Sequence, residues 1–190
     1  MADHSGAGFV RDATAADASA VSSIQLACWR HDYSWPEEIF DALAATDPEM
    51  QWARAVIAPP GPGHRLVVAT DDSQVVGYAA MTPTQAPDAE AGEMEVVAWE
   101  VHPEHRGLGH GSRLIAAIAD HARLLGAHSL SIWIEPIDQA RRYVLTDAGF
   151  GPDGAHRTVQ STVQSTVQSD DHPGEDLTVR QVRLVTSLAN

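Results

Sequence analysis

Apolar residues recur along this chain at two periods. Val21, Ile24 and Cys28, with Ala20 and Ala27 beside them, are spaced for one face of a helix from about Thr14 to Trp29. Ser34 and Glu37 have the spacing of a capping box, and the helix they would start buries Ile39, Phe40 and Leu43. Asp47 and Pro48 read as N-cap and first residue of a third helix carrying Met50, Ala53, Val56 and Ile57, which ends at the loop PPGPG, 59–63. Leu114, Ile115, Ile118, Ala122 and Leu125 form a fourth helical stripe, with Gly126 placed to cap it. A last helix follows Pro136 to Asp138 and ends at Gly149-Phe150.

Period two marks the strands. Phe9 to Arg11 is short; Arg65 to Thr70 and Gln74 to Met81 form a hairpin about Asp71-Asp72-Ser73. An acidic connection, 83–92, leads into Glu93 to Val101, rich in valine and tryptophan at alternate positions, and Ser129 to Ile134 is a further strand. Residues 158–169 repeat TVQS three times. Threonine and valine favour strands, and Val159, Val163 and Val167 then share a side with Ser161 and Ser165. With a turn over Ser169 to Asp176 and alternation from Leu177 to Val185, this predicts a closing C-terminal hairpin, although a perfect repeat pins register weakly. The expected fold is one mixed α/β domain over 1–190, with residues 1–8 disordered and 158–176 a repeat-rich strand and turn.

Composition narrows the function. Against 26 Asp and Glu stand 12 basic residues, a formal charge of −14, which excludes a broad surface for nucleic acid or anionic membrane. No apolar run approaches the ~20 residues that span a bilayer. The first residues, MADHSGAG, lack the marks of a signal peptide, and the single cysteine, Cys28, reads as core, so a cytoplasmic protein is expected. The scarce basic residues reverse the charge locally: His105, Arg106, His110 and Arg113 cluster around one turn.

That turn lies between the Glu93–Val101 strand and the fourth helix. Gly107, Gly109 and Gly111 let the backbone bend sharply and expose N–H groups with no Cβ in the way, and the helix directs its N-terminal amides into the bend. This is an anion site, most naturally for phosphate. It is neither a Rossmann fingerprint, since Ser112 stands where a glycine is needed, nor a P-loop, since no Gly-Lys-Ser/Thr follows.

Arg106-x-x-Gly109-x-Gly111, preceded by Val101-His102-Pro103, resembles the acyl-coenzyme-A signature of the GNAT superfamily of N-acetyltransferases, and the order of elements is similar to that fold over nearly the whole chain. The resemblance implies a central mixed β-sheet flanked by helices and closed by the C-terminal hairpin. It implies that the strand ending at Val101 splays from the strand holding Ile132, with pantetheine in the wedge and acetyl-CoA as cosubstrate. Val101, His102, Arg106, Gly107, Leu108, Gly109, His110, Gly111 and Ser112 would bind the cofactor. Asp138 would meet the pantetheine arm, and Ala140 to Phe150 resembles the family's last helix.

Many members place a tyrosine four residues before the glycine that ends that helix, as acid for the departing thiolate; here Leu145 holds the position and Tyr143 is on the other face unless the helix bulges. The implied reaction needs a base for the amine and a donor for the developing oxyanion. Glu95 is the first candidate base, on the side of Trp99 and Glu93; Glu100 points the other way, nearest the thioester; Val101 backbone is the oxyanion donor. Trp29, Tyr33 and Trp35, among Asp32, Glu37, Glu38 and Asp41, suit a small primary amine, a cationic one being the expectation. His102, His105 and His110 do not suggest a metal, lacking a cysteine nearby or a helical H-x-x-x-H pair. The readings are therefore an N-acetyltransferase acting by direct transfer in a ternary complex, a non-catalytic acyl-CoA sensor, or more remotely a nucleotide-binding module. The residues leave the acceptor's identity and a homodimer open.

Overall fold

The computed structural model describes residues 8–86, 89–162 and 176–188. One seven-stranded sheet runs through it in the order β1-β2-β3-β4-β5-β7-β6. The strands are β1 (Phe9–Asp12), β2 (Arg65–Asp71), β3 (Gln74–Pro83), β4 (Glu93–Val101), β5 (Ser129–Ile134), β6 (Gly151–Thr162) and β7 (Asp176–Ser187). All neighbours are antiparallel except β4 and β5.

The helices are α1 (Ala18–Asp32), α2 (Glu37–Ala45), α3 (Pro48–Ile57), α4 (His110–Leu124) and α5 (Gln139–Asp147). Helix α4 seals one face of the sheet, where Leu114, Ile115 and Ile118 join Val96, Trp99, Leu130 and Ile132 in the main core. Each such side chain, fully buried, contributes about 1.5–3 kcal/mol. Helix α1 covers β2 to β4 on the other face, packing Val21, Ile24 and Cys28 on Leu66, Val68 and Tyr78.

Several boundaries differ from the expectations. Thr14 opens a 3-10 turn, Ala15–Asp17, closed by a capping box between Thr14 and Asp17, and α1 proper runs on to Asp32. Arg11 grips the Asp17 carboxylate at 2.8 Å through two nitrogens and, with the Thr14 bonds, holds its pKa down at about 2. Ser34 caps nothing: α2 begins at Glu37 behind Pro36, which fixes its own φ instead. Leu125 is 51% exposed, because the chain leaves the helix there through Gly126 at φ +74°. Strand β6 begins seven residues earlier than its TVQS portion. Gly151-Pro152-Asp153-Gly154 has the composition of a turn, yet pairing with β7 draws it into the sheet, with a bulge between Pro152 and His156. The remainder of the repeat and its turn, 163–175, and the expected disorder of residues 1–7 lie outside the described residues.

A second bulge matters more. Across β3 and β4, Ala80 faces Ala98 but Met81 faces Val96, so Val97 is an extra residue in β4. The inserted residue inverts the alternation. Trp99 therefore joins Met94 and Val96 against α4. Glu95 and Glu100 consequently share the opposite face, whereas strict alternation separates them.

Candidate active site

Strands β4 and β5 pair only from Glu93↔Ser129 to Val96↔Ile132. Beyond that point β4 stays with β3, β5 stays with β7, and a wedge opens between them. His102 N–H bonds to Val76 O at 2.9 Å, on the β3 side. In an antiparallel pair the alternate residues turn their backbone groups the other way, so Val101 and Trp99 direct theirs into the wedge. The Val101 carbonyl accepts from Arg106 Nε at 3.1 Å and from the Cys28 thiol at 3.3 Å.

The glycine turn closes the wide end. Gly107 and Gly109 hold φ of +78° and +80°, and a Cβ at Gly107 would meet nothing within 4 Å, so that backbone lies open. Arg113 N–H is the first in α4 to bond back, to Gly109 O at 3.2 Å, so the amides of His110, Gly111 and Ser112 have no intrahelical acceptor. Gly111 has a packing reason as well. Its Cβ would stand 3.1 Å from the Trp99 ring, whose Nε1 donates to Gly111 O at 3.1 Å. The first turn of α4 is thereby seated on β4.

The Arg106 side chain turns away from the phosphate turn. It donates to both carboxylate oxygens of Asp32, at 2.8 and 2.9 Å, tying the end of α1 to the end of β4, and only its backbone remains for the turn. Arg113 is the arginine that stays there. It lies over the turn, 3.2 Å from Leu108 O and 3.1 Å from His110 Nδ1. Burial and this guanidinium both lower the His110 pKa, keeping the ring neutral. Asp71, His105 and His110 each bring one ligand atom within 4.8 Å of the others. The Arg113 charge that suits phosphate opposes a divalent cation there.

Glu100 and Glu95 differ in what surrounds them. Glu100, its side chain 12% exposed, is ion-paired to Arg141, which also approaches Asp138 at 3.4 Å and Asp32 at 3.9 Å. Burial raises the Glu100 pKa, and Arg141 opposes that rise. Asp138 caps α5 by accepting from Arg141 N–H at 2.9 Å. Glu95, 16% exposed, has Arg157 at 4.0 Å. Sequence spacing missed Arg141 and Arg157, whose glutamate partners both lie on β4.

The remaining candidates are spread around the mouth. Tyr33 stacks on Trp35 with ring centroids 4.2 Å apart, and burial together with the Glu135 carboxylate raises the Tyr33 pKa. Trp29 is half-buried on α1. Three of the four carboxylates expected to hold a cation among these rings are already matched: Asp32 by Arg106, Glu37 and Asp41 by Arg30 at 2.7 and 4.0 Å. Tyr143 is 77% exposed, whereas Leu145 is fully buried. Both Arg142 N–H to Asp138 O and Ala148 N–H to Val144 O are ordinary helical bonds, as in an unbulged α5.

Cys28 is fully buried; burial, followed by the charge of Glu100, pushes its thiol up to about 12. At pH 8 roughly one thiol in 10,000 is ionised. Native protein is expected to resist Ellman's reagent for hours and to react within minutes in denaturant. Rapid labelling of the native chain would show this packing to be wrong.

The family model for the acetyltransferase (GNAT) family matches residues 19–150. The chain belongs to the GNAT family. The L-amino acid N-acyltransferase MnaT of Escherichia coli is 28% identical over 142 residues, covering 74% of this chain and 78% of the relative. An L-methionine sulfoximine/L-methionine sulfone acetyltransferase of Salmonella typhimurium is 28% identical over 144 residues, with the same coverage. Among solved structures, yncA of Salmonella typhimurium, a putative acetyltransferase with its cofactor acetyl-CoA, superposes with TM-score 0.63 at 22% identity, covering 97% of this chain and 95% of that one. This GNAT chain is an N-acetyltransferase. No helix among its described residues is long and apolar enough to cross a membrane.

Proposed function

We propose that this enzyme transfers an acetyl group from acetyl-CoA directly to the primary amine of a small molecule in a ternary complex, and that the acceptor is a free amino acid. The observation that carries the transfer is the wedge: backbone N–H groups of Trp99 and Val101 that β5 does not pair lead into a turn whose amides and Arg113 suit an anion. The amino acid is supported by the two relatives, an L-amino acid N-acyltransferase and an L-methionine sulfoximine/L-methionine sulfone acetyltransferase.

Acetyl-CoA, when bound, supplies the activated acyl group. The chain's residues then have distinct tasks. The amides from Gly107 to Ser112 and the Arg113 guanidinium suit pyrophosphate. Val101 N–H is the donor for the charge that develops on the carbonyl oxygen. Glu95 is the base, since Glu100 is engaged by Arg141. The amine nitrogen bonds to the acetyl carbon as the C–S bond breaks with its electron pair on sulfur. The ammonium first gives one proton to Glu95 and on to water, and the second leaves the nitrogen for water as the amide forms. We assign no acid role to Tyr143 on its exposed face; a thiol's modest pKa lets the thiolate leave and take its proton from water.

The test is acetyl-CoA-dependent thiol release with a panel of L-amino acids and simple amines, followed over many turnovers. Transfer to none of them would reject the reading. A binding arm accompanies it. At a hundredfold excess over its dissociation constant a ligand adds about 2.7 kcal/mol, so acetyl-CoA is expected to raise Tm by roughly 5–10 °C. Arg113→Met should weaken that affinity about tenfold, the loss of one charge-assisted contact. An unchanged affinity would remove Arg113 from the phosphate site.

A further inference from the structure

The chain has no lysine, so its 12 cationic side chains are all arginines. In so acidic a protein, where each is spent is informative. Around the wedge, Arg106 is tied to Asp32, Arg141 to Glu100, and Arg183 to Asp153 at 2.7 Å. Two guanidiniums near it are held less tightly: no carboxylate among the described residues is ion-paired with Arg113, and Arg157 approaches Glu95 only to 4.0 Å. Arg113 lies at the glycine turn and Arg157 beside Glu95.

Arg157 is held in place by groups other than a carboxylate, its ion pair with Glu95 being loose. Its Nε donates to Gln181 Oε1 at 2.8 Å, and its guanidinium carbon lies 4.3 Å from the centroid of the Trp133 ring. Trp133 is the first β5 residue beyond the last β4 pair, so Arg157 stands where the wedge begins. The remaining nitrogens of the fork approach Glu95 only to 4.0 Å, too far for a hydrogen bond. A guanidinium prefers the planar, two-oxygen geometry of a carboxylate.

We infer that Arg157, fixed by Trp133 and Gln181 beside Glu95, is the specificity-determining residue that binds the α-carboxylate of the acceptor while Glu95 takes its ammonium. The inference rests on the acetyltransferase reading and deepens it. A zwitterion carries its two charges on neighbouring groups, and Arg157 and Glu95 offer the complementary pair side by side. A primary amine without a carboxylate leaves the guanidinium unsatisfied and is the poorer acceptor.

The experiment compares kcat/KM for the L-amino acid turned over fastest with that for the amine lacking only its carboxylate, in the wild type, Arg157→Gln, Arg157→Lys and Gln181→Met. Arg157→Gln is expected to lower kcat/KM for the amino acid about 10- to 100-fold, mostly through KM, and to leave the amine within about twofold. Arg157→Lys should recover part of the loss, and Gln181→Met, which frees Nε, should reproduce it weakly. The acetyl-CoA-induced rise in Tm should persist in all three, which reports that fold and cofactor site are intact.

Equal loss for both acceptors would assign Arg157 to the basicity of Glu95 and overturn the inference; so would no loss for either, or a wild type indifferent to the carboxylate. In each of those outcomes the acetyltransferase reading survives. Absence of turnover with every amine, despite a Tm rise with acetyl-CoA, would overturn both.

Discussion

Replacing Glu95 by glutamine is expected to lower kcat by about 10²- to 10⁴-fold, the range for loss of a positioned general base, with the affinity for acetyl-CoA unchanged. Glutamine keeps the size and the polar end of the side chain but accepts no proton. The choice falls on Glu95 because of its neighbours. Glu100 lies on the same face, but Arg141 holds its carboxylate, whereas the nearest cation to Glu95 stays 4.0 Å away. An acceptor amine is mostly ammonium at neutral pH and must lose a proton before it attacks. The residual rate of the variant should therefore climb with pH as solvent supplies the free amine, narrowing the gap to the wild type. Equal kcat for the two proteins across the pH range would dismiss Glu95 as the base.

The second large effect concerns stability. Arg141→Met should destabilise the protein by roughly 3 kcal/mol, because it strands a buried carboxylate without its counter-charge. For a chain of this size that lowers Tm by about 6–12 °C. Glu100 would be left beside Asp32, its like charge, and opposite Tyr78, whose buried hydroxyl has no hydrogen-bond partner among the described residues. The pH dependence has a definite sign. Burial holds the Glu100 pKa above its unfolded value, and removing Arg141 raises it further. The protonated form is then favoured by folding, so the deficit is absent below the unfolded pKa and grows as pH rises through the folded one. The gap in Tm between wild type and variant should accordingly be smaller at pH 5 than at pH 8. Adding Glu100→Gln should recover most of the loss; if the double variant is no more stable than Arg141→Met, the pair is not what the arginine supports.

Both effects depend on residues whose importance is invisible to spacing. Arg141 and Glu100 are 41 positions apart, and Arg157 and Glu95 are 62 apart in the numbering, so no window on the chain pairs them. The orientation of Glu95 illustrates a subtler failure. Strict alternation along β4 puts it beside Trp99, and the extra residue Val97 reverses that relation without any mark in composition, since valine suits a bulge position as readily as its neighbours. Arg106 shows the same limit from another side. Its place in the motif suggests a phosphate ligand, yet the end of α1 lies close enough for Asp32 to claim it.

The cation pocket expected around Trp29, Tyr33 and Trp35 was likewise a matter of counting charges on one segment. Arg30, from within that segment, and Arg106, from outside it, neutralise three of the carboxylates. What remains near the wedge is a loose pair, Glu95 and Arg157 at 4.0 Å with no hydrogen bond between them, a different chemistry from an acidic cage.

The sequence alone determined the elements, their order and the glycine turn. Helical stripes, strand alternation and the need for positive φ are properties of residues a few positions apart, and each is written where it acts. The tertiary structure decided which charges are free. Register, the Val97 bulge and the convergence of α1, β4, α5 and β6 set distances between residues far apart in the chain, and the energy of an ion pair depends on those distances and on the water excluded around them.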